Sequence, residues 1–139
     1  MNQHGVTTFA GVAHPFMCDV TGHMSARHYM AMFDDATLAI LGMIGDRESA
    51  LAARTGWADV RCEIDYRQEV EPGSLITIQS RVVRLGRSSV TLGHEMIGSI
   101  DRLARAQALV VTVHFDLVAR QAIPMPEDLR RRAEALVIG

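Results

Sequence analysis

From Ala26 to Ile44 apolar residues recur at helical spacing, with Tyr29, Phe33, Ala36 or Thr37, Ile40 and Ile44 along one stripe. Met30, Met32, Leu38, Leu41 and Met43 fill most of the remaining circumference, and a helix that is apolar nearly all round is normally buried. Ser25 stands where an N-cap belongs, and Gly42 and Gly45 weaken the far end. A second short helix is expected from Asp46 to Arg54, stopped by Thr55-Gly56.

Elsewhere the pattern changes to period two. A first strand is expected from about Thr7 to Ala13, with Pro15 ending its pairing. Val60, Cys62, Ile64 and Tyr66 alternate with Arg61, Glu63, Asp65 and Arg67, as in a half-buried antiparallel strand. Glu71-Pro72-Gly73-Ser74 has Pro and Gly at type II turn positions, and Ile76, Ile78 and Val82 mark the next strand. Beyond the turn Leu85-Gly86-Arg87-Ser88, Val90, Leu92, His94 and Met96 share one face of a fourth strand. After a turn near Ser99 to Arg102, the last strand has Leu109, Val111, Val113, Phe115 and Leu117 on one face and small or polar residues on the other. Pro124 and Pro126 precede a terminal helix whose acidic start, Glu127-Asp128, and basic Arg130 to Arg132 suit the helix dipole. The class is therefore α+β, one apolar helix with an antiparallel meander of about five strands. A single sheet buries such a helix on all sides only by curling around it.

Length and composition narrow the setting. With 139 residues, 48% of them hydrophobic, the expectation is one domain over residues 1–139 with a sizeable core. A net charge of −2 and a pI near 6.3 argue against nucleic-acid or membrane-surface partners, which need a basic face. All the basic side chains are arginine, the better bidentate clamp for phosphate. Cys18 and Cys62 form no C-x-x-C and are too few for a disulfide framework or a structural zinc site, so reduced thiols in a cytoplasm are expected. No stretch reads as a signal peptide or reaches the roughly 18 apolar residues of a membrane span.

Candidate chemistry concentrates between Cys18 and Ala36. Asp19 precedes a Gly22-His23 turn and then a helix start, where unpaired backbone N–H groups can hold an oxyanion. That order suggests acyl transfer. An ordinary turn carboxylate is the plain alternative for Asp19, although it lies six residues before Ser25, too far for simple capping. Asp34, on the helix, is its rival, to be weighed against a solvated edge shared with Asp35. His23 could bind substrate or water, or simply the loop backbone. His94 and His114 fall within strands, as partnered core or interface residues. No two-His helix spacing is present, so no metal is expected. Cys18 lacks a base placed to activate it.

The motif Asp19-x-x-Gly22-His23-Met24 with Tyr29 resembles the signature of hotdog-fold acyl-CoA thioesterases of the 4-hydroxybenzoyl-CoA thioesterase-like family. The likeness continues through Glu63-Ile64-Asp65-Tyr66, Val70-Glu71-Pro72-Gly73, Leu85-Gly86-Arg87-Ser88-Ser89 and Ala122-Ile123-Pro124-Met125-Pro126. The resemblance implies a long helix wrapped by a curled sheet. It also implies a homodimer with one continuous sheet and active sites at its interface, with a tetramer of two dimers as an extension. In such a protein Asp19 is general base or nucleophile, and the amide of Ala26 polarises the thioester carbonyl. Many relatives carry Asn or His where this chain has Ala26, which shifts polar duties to His23, Ser25 and water. Gly22, Ser25 and Tyr29 then line the substrate site.

Arg84, Arg87, Ser88 and Ser89, at a Gly turn, are candidates for binding coenzyme A, which is part of the substrate; no separate cofactor is expected. Two alternatives are a non-catalytic acyl-CoA binding module and a hotdog enoyl-thioester hydratase or dehydratase. The latter resembles D-x-N-P-x-H, whose Asn, Pro and His positions hold Thr21, Gly22 and Met24 here. Gly22-His23-Met24, Tyr29, Phe33 and Asp35-Ala36-Thr37 also resemble thioesterases associated with carnitine dehydrogenase, which hydrolyse betainyl-CoA. A quaternary ammonium favours aromatic faces, for which Tyr29, Phe33 and Trp57 are the candidates.

Overall fold

A computed structural model describes residues 5–137. The elements run β1 (Val6–Val12), α1 (Ala26–Ile44), α2 (Arg47–Ala53), β2 (Thr55–Tyr66), β3 (Leu75–Leu85), β4 (Ser89–Gly98), β5 (Ala104–Asp116), β6 (Gln121–Ala122) and α3 (Glu127–Glu134). The five long strands form one curled antiparallel sheet in the order β1-β3-β4-β5-β2, with the two-residue β6 added to β5. The long helix of the resemblance is α1, which starts and ends where its periodicity says. Local signals explain the connections. Gly73 takes φ +86, the conformation a type II turn needs at its third residue, and Ser74 N donates to Glu71 O at 3.1 Å. Asp46 caps α2 by accepting from Ser49 N. The helix is stopped by Arg54 in the left-handed region, φ 57, while Thr55-Gly56 already opens β2.

The first half of α1 packs Tyr29, Met32, Phe33 and Ala36 against Ile76, Ile78, Met96, Ala106 and Ala108. Its second half sets Ile40, Leu41 and Ile44 against Val82, Val90, Leu92 and Val110, with Met125 and Ala133 closing the end. Phe33, Ile40 and Ile44 are wholly buried, each contributing about 1.5–3 kcal/mol of burial.

Strand β5 departs from the usual link between apolarity and burial. Its buried face is the small and polar one, Ala106, Ala108, Thr112 and His114 with Val110, whereas Leu109 is 42% exposed. Ala106 and Ala108 leave room beneath Tyr29 and Phe33, so size governs this strand's orientation more than hydropathy does.

The other departure is α1 itself. The sheet covers one side only, leaving Leu38 64% and Met43 42% exposed. Strand β2 lies at the end of the sheet and also starts earlier than its alternation indicates, at Thr55. Val60, Cys62 and Tyr66 are exposed, and of the alternating set only Ile64 reaches the core.

Candidate active site

The segment between β1 and α1 is folded by its own hydrogen bonds. Gly22 N donates to Asp19 O at 2.9 Å, Asp19 N donates to His23 O at 3.2 Å, and Cys18 bridges Met24. Gly22 has φ +83, which makes glycine the fitting residue at the corner. Met24 N donates to Val70 O at 2.8 Å, anchoring the loop to the segment after β2.

Asp19 is exposed, and its Oδ1 accepts from Thr21 N at 2.9 Å and from Thr21 Oγ1 at 2.6 Å. The Thr21 hydroxyl, then the Thr21 amide, hold this carboxyl below its ordinary value, so it stays ionised near neutrality. The geometry thus contains the local turn considered from the sequence. Asp19 does not line the neighbouring cleft; Thr21, which it holds, does.

That cleft encloses about 410 Å³ and is lined by Thr21, His23, Met24, Ala26 and Tyr29 on one side, and by Tyr66, Arg67, Gln68 and Glu69 on the other. Ser25 occupies the N-cap position of α1 but its side chain does not cap the helix. Its hydroxyl donates instead to Met17 O at 3.1 Å. The amides of Ala26 and Arg27 are therefore left without that side-chain partner, with Ala26 at a wall of the cleft, while His28 N donates to Ser25 O at 3.0 Å. A methyl at position 26 offers them no competing side-chain acceptor. His23 Nδ1 lies 3.2 Å from Glu69 Oε2, close enough for an ion pair but off the hydrogen-bond direction. Tyr29 and Tyr66 meet edge to face, 5.0 Å between ring centres at 88°. Burial pushes the Tyr29 hydroxyl upward, and Glu69 and Tyr66 add to the shift. Tyr66 and Glu69 carry no family-independent signal in the sequence; only the fold brings the end of β2 to the start of α1.

The structure does not bring Arg84, Arg87, Ser88 and Ser89 to this cleft within one chain. Their hairpin adjoins Leu85 and Val90, which pack on the far half of α1. A helix of 19 residues separates the two places by about 27 Å. The hairpin backbone is held by Met125 N on Arg87 O, by His114 N on Ser88 O at 2.7 Å and by the Arg130 guanidinium on Gly86 O. Trp57 sits at this same end, 5.1 Å from the His114 ring, and Phe33 is core, stacked on His94. Of the three proposed aromatics, only Tyr29 lines the cleft.

Asp34 is exposed on α1 near Cys62, whose thiol burial pushes up, with Asp59 and Asp34 adding to the shift. Both cysteines are free thiols. Among the described residues, no three His, Cys, Asp or Glu side chains group as a metal site. No helix among them is long and apolar enough to cross a membrane. A separate depression of about 240 Å³ lies over Gly93, bordered by Glu63, Asp65 and Arg81, away from the loop.

Comparison with known proteins bears on the fold and the family. The profile of the thioesterase-like superfamily matches residues 14–133. A betainyl-CoA thioesterase of Pseudomonas aeruginosa is 24% identical over 94% of this chain and 83% of its own length. An L-carnitine dehydrogenase/betainyl-CoA thioesterase of Agrobacterium fabrum is 28% identical over 85% of this chain, which spans only 24% of that longer protein. The crystal structure of a Thermus thermophilus thioesterase, complexed with coenzyme A and zinc, superposes with a TM-score of 0.82 at 21% identity, covering 97% of this chain and 96% of that one. The curled sheet with its long helix is the hotdog fold, and the chain belongs to the thioesterase-like superfamily, as a thioester hydrolase.

Proposed function

We propose that this acyl-CoA thioesterase works at the cleft in front of α1. The observation that carries the reading is the uncapped helix start at Ala26, open to the same cleft as His23 and as Thr21, whose amide and hydroxyl hold the ionised Asp19. The thioester carbonyl oxygen takes the Ala26 amide. Charge developing on that oxygen is stabilised by fixed donors, each typically contributing about 3–4 kcal/mol. Asp19 activates water or attacks the carbonyl, and His23, beside Glu69, positions the water. The thiolate of coenzyme A leaves, and a proton from water completes the products. Hydrolysis is redox-neutral and asks for no separate cofactor.

The substrate's nucleotide end needs cations, and in a single chain the arginine hairpin is too far away. A homodimer resolves this. Strand β2 has an open edge, and antiparallel pairing of two such edges sets the Tyr66 end of one protomer beside the Thr55 end of its partner. The hairpin beyond the partner's Trp57 then approaches the cleft, with Arg84, Arg87, Ser88 and Ser89 for phosphate and pantetheine. The exposed Met30, Leu38 and Met43 of α1 support the same face. A tetramer of two dimers is a further step, supported by Leu109 and Val83 on the outer face. The cytoplasm, where coenzyme A esters are made and reduced thiols persist, is the setting we assign.

A thiol-release screen over short, branched, aromatic, long-chain and betainyl CoA esters tests the function. Betainyl-CoA comes first in that screen because two relatives carry it in their names. Tight CoA-ester binding without release across the panel would replace the enzyme with a binding module.

A further inference from the structure

We propose that Tyr66 and Glu69, with Tyr29 behind them, read a fixed positive charge on the acyl group; this rests on the acyl-CoA thioesterase reading of the cleft. The cleft wall opposite the helix start joins an aromatic ring to a carboxylate, Tyr66 and Glu69. Two tyrosine rings stand at 88° to one another, 5.0 Å between centres, and so make two sides of a corner. Tyr29 is the deep side at 5% exposure, and Tyr66 is the outer side at 54%. Glu69 borders the same cleft, and among the described residues its carboxylate has no arginine as an ion-pair partner, its near neighbour being the His23 ring at 3.2 Å.

Aromatic faces attract cations electrostatically, most strongly where water is partly excluded. A quaternary ammonium has no N–H to donate, so it needs faces and a diffuse negative charge more than directed acceptors. The corner supplies both. Arg67, which also borders the cleft, has its guanidinium on Gln107 Oε1 at 2.9 Å, a neutral partner on the neighbouring strand β5. Asp19 adds a second ionised carboxylate next to the cleft. The methyl of Ala26 fits the same chemistry, because a polar side chain there would meet the methyl groups of such a substrate. In this arrangement the carbonyl sits at the Ala26 amide and the charged end of a short acyl group turns into the tyrosine corner.

The test compares trimethylammonioacetyl-CoA with 3,3-dimethylbutanoyl-CoA, in which carbon replaces the charged nitrogen at equal shape. The wild-type protein should favour the charged ester in kcat/KM by roughly tenfold or more. Tyr66→Leu and Glu69→Gln should each lower that ratio by roughly three- to tenfold, and Tyr66→Phe should keep it. If Glu69 served only to position His23, both esters would slow together and the ratio would hold, which overturns the proposal. Equal kcat/KM for the two esters in the wild type overturns it while leaving the thioesterase intact. Calorimetric binding of the corresponding non-hydrolysable thioethers provides a readout without turnover. Preference for the charged thioether, lost in Tyr66→Leu and Glu69→Gln, sustains the charge reader even if no ester is hydrolysed, in which case only the hydrolase reading falls.

Discussion

His94 on β4 and Thr37 on α1 are joined by a 2.8 Å hydrogen bond at Nε2 inside the buried helix–sheet contact. The other ring nitrogen meets Ser80 Oγ at 2.6 Å, and Ser80 continues to Thr8, the extra residue at the bulge in β1, at 2.7 Å. Hydroxyls can donate or accept, so this line satisfies a neutral imidazole and provides no carboxylate for a charged one. With 2% of its surface exposed, His94 is pushed down to about 4 by burial.

Stability should follow from that shift. An unfolded histidine titrates near 6.5, so between about 6.5 and 4 the unfolded chain binds a proton that the folded chain does not. The contribution is present above pH 6.5 and is lost as pH falls toward 4, reaching ~3 kcal/mol in full. Urea midpoints measured from pH 7.5 to 4.5 should fall on the acid side, and His94→Gln should flatten that slope. The carboxyls of Asp46, Asp101 and Asp116, held low by their hydrogen bonds, act only below this window. An unaltered slope in His94→Gln would remove the histidine from the account.

Asp19→Asn should keep the fold, because an amide oxygen can still accept from Thr21, and lose about 10²–10⁴ in kcat if the carboxylate is the base. Thr21→Ala checks the electrostatics separately. It removes the hydroxyl that is the first cause of the lowered carboxyl, so the acid limb of kcat/KM should move to higher pH. Asp34→Asn, made alongside, should leave turnover far closer to wild type. Wild-type turnover in Asp19→Asn would sink the assignment.

The open flank of α1 gives a prediction about assembly. Leu38→Glu places a charge on an exposed apolar helix face, where a lone chain would tolerate it. If that face lies between two protomers, the substitution should yield monomers in sedimentation and should cost activity, although Leu38 lines no cleft. A Leu38→Glu protein that sediments as the wild type does would remove the helix from the interface.

Much of the fold was legible because the relevant signals were local. The bounds of α1 follow from its apolar spacing, and the turns follow from Pro72-Gly73 and Gly86. What hydropathy could not give was which face of β5 turns inward, because Ala106 and Ala108 are selected by the room that Tyr29 and Phe33 require. The site was legible in part. His23 and Ala26 line one cleft and Gly22 makes the corner of the loop before them, whereas the Arg87 hairpin and Trp57 lie at the other end of α1. Tyr66 and Glu69 were invisible as site residues, since 37 positions of chain separate Tyr29 from Tyr66 and only strand pairing reunites them.

That separation makes Arg87 the informative position for the last prediction. Its backbone is fixed by Met125 and the neighbouring turn bonds, while its side chain is exposed and free of any hydrogen bond among the described residues. Arg87→Ala should therefore leave the fold untouched and raise KM for a CoA ester several-fold, on the order of 3–10, with kcat little changed, because a phosphate contact is far from the reacting bond. A pantetheine thioester, lacking the nucleotide phosphates, should show no such rise. Mixing Arg87→Ala chains with Asp19→Asn chains then reports where the arginine acts. If it serves the partner's cleft, a mixed dimer has one site with both Asp19 and Arg87 intact, and about a quarter of all sites regain the wild-type KM. If it serves its own cleft, the mixture shows only the raised KM of the Arg87→Ala chains.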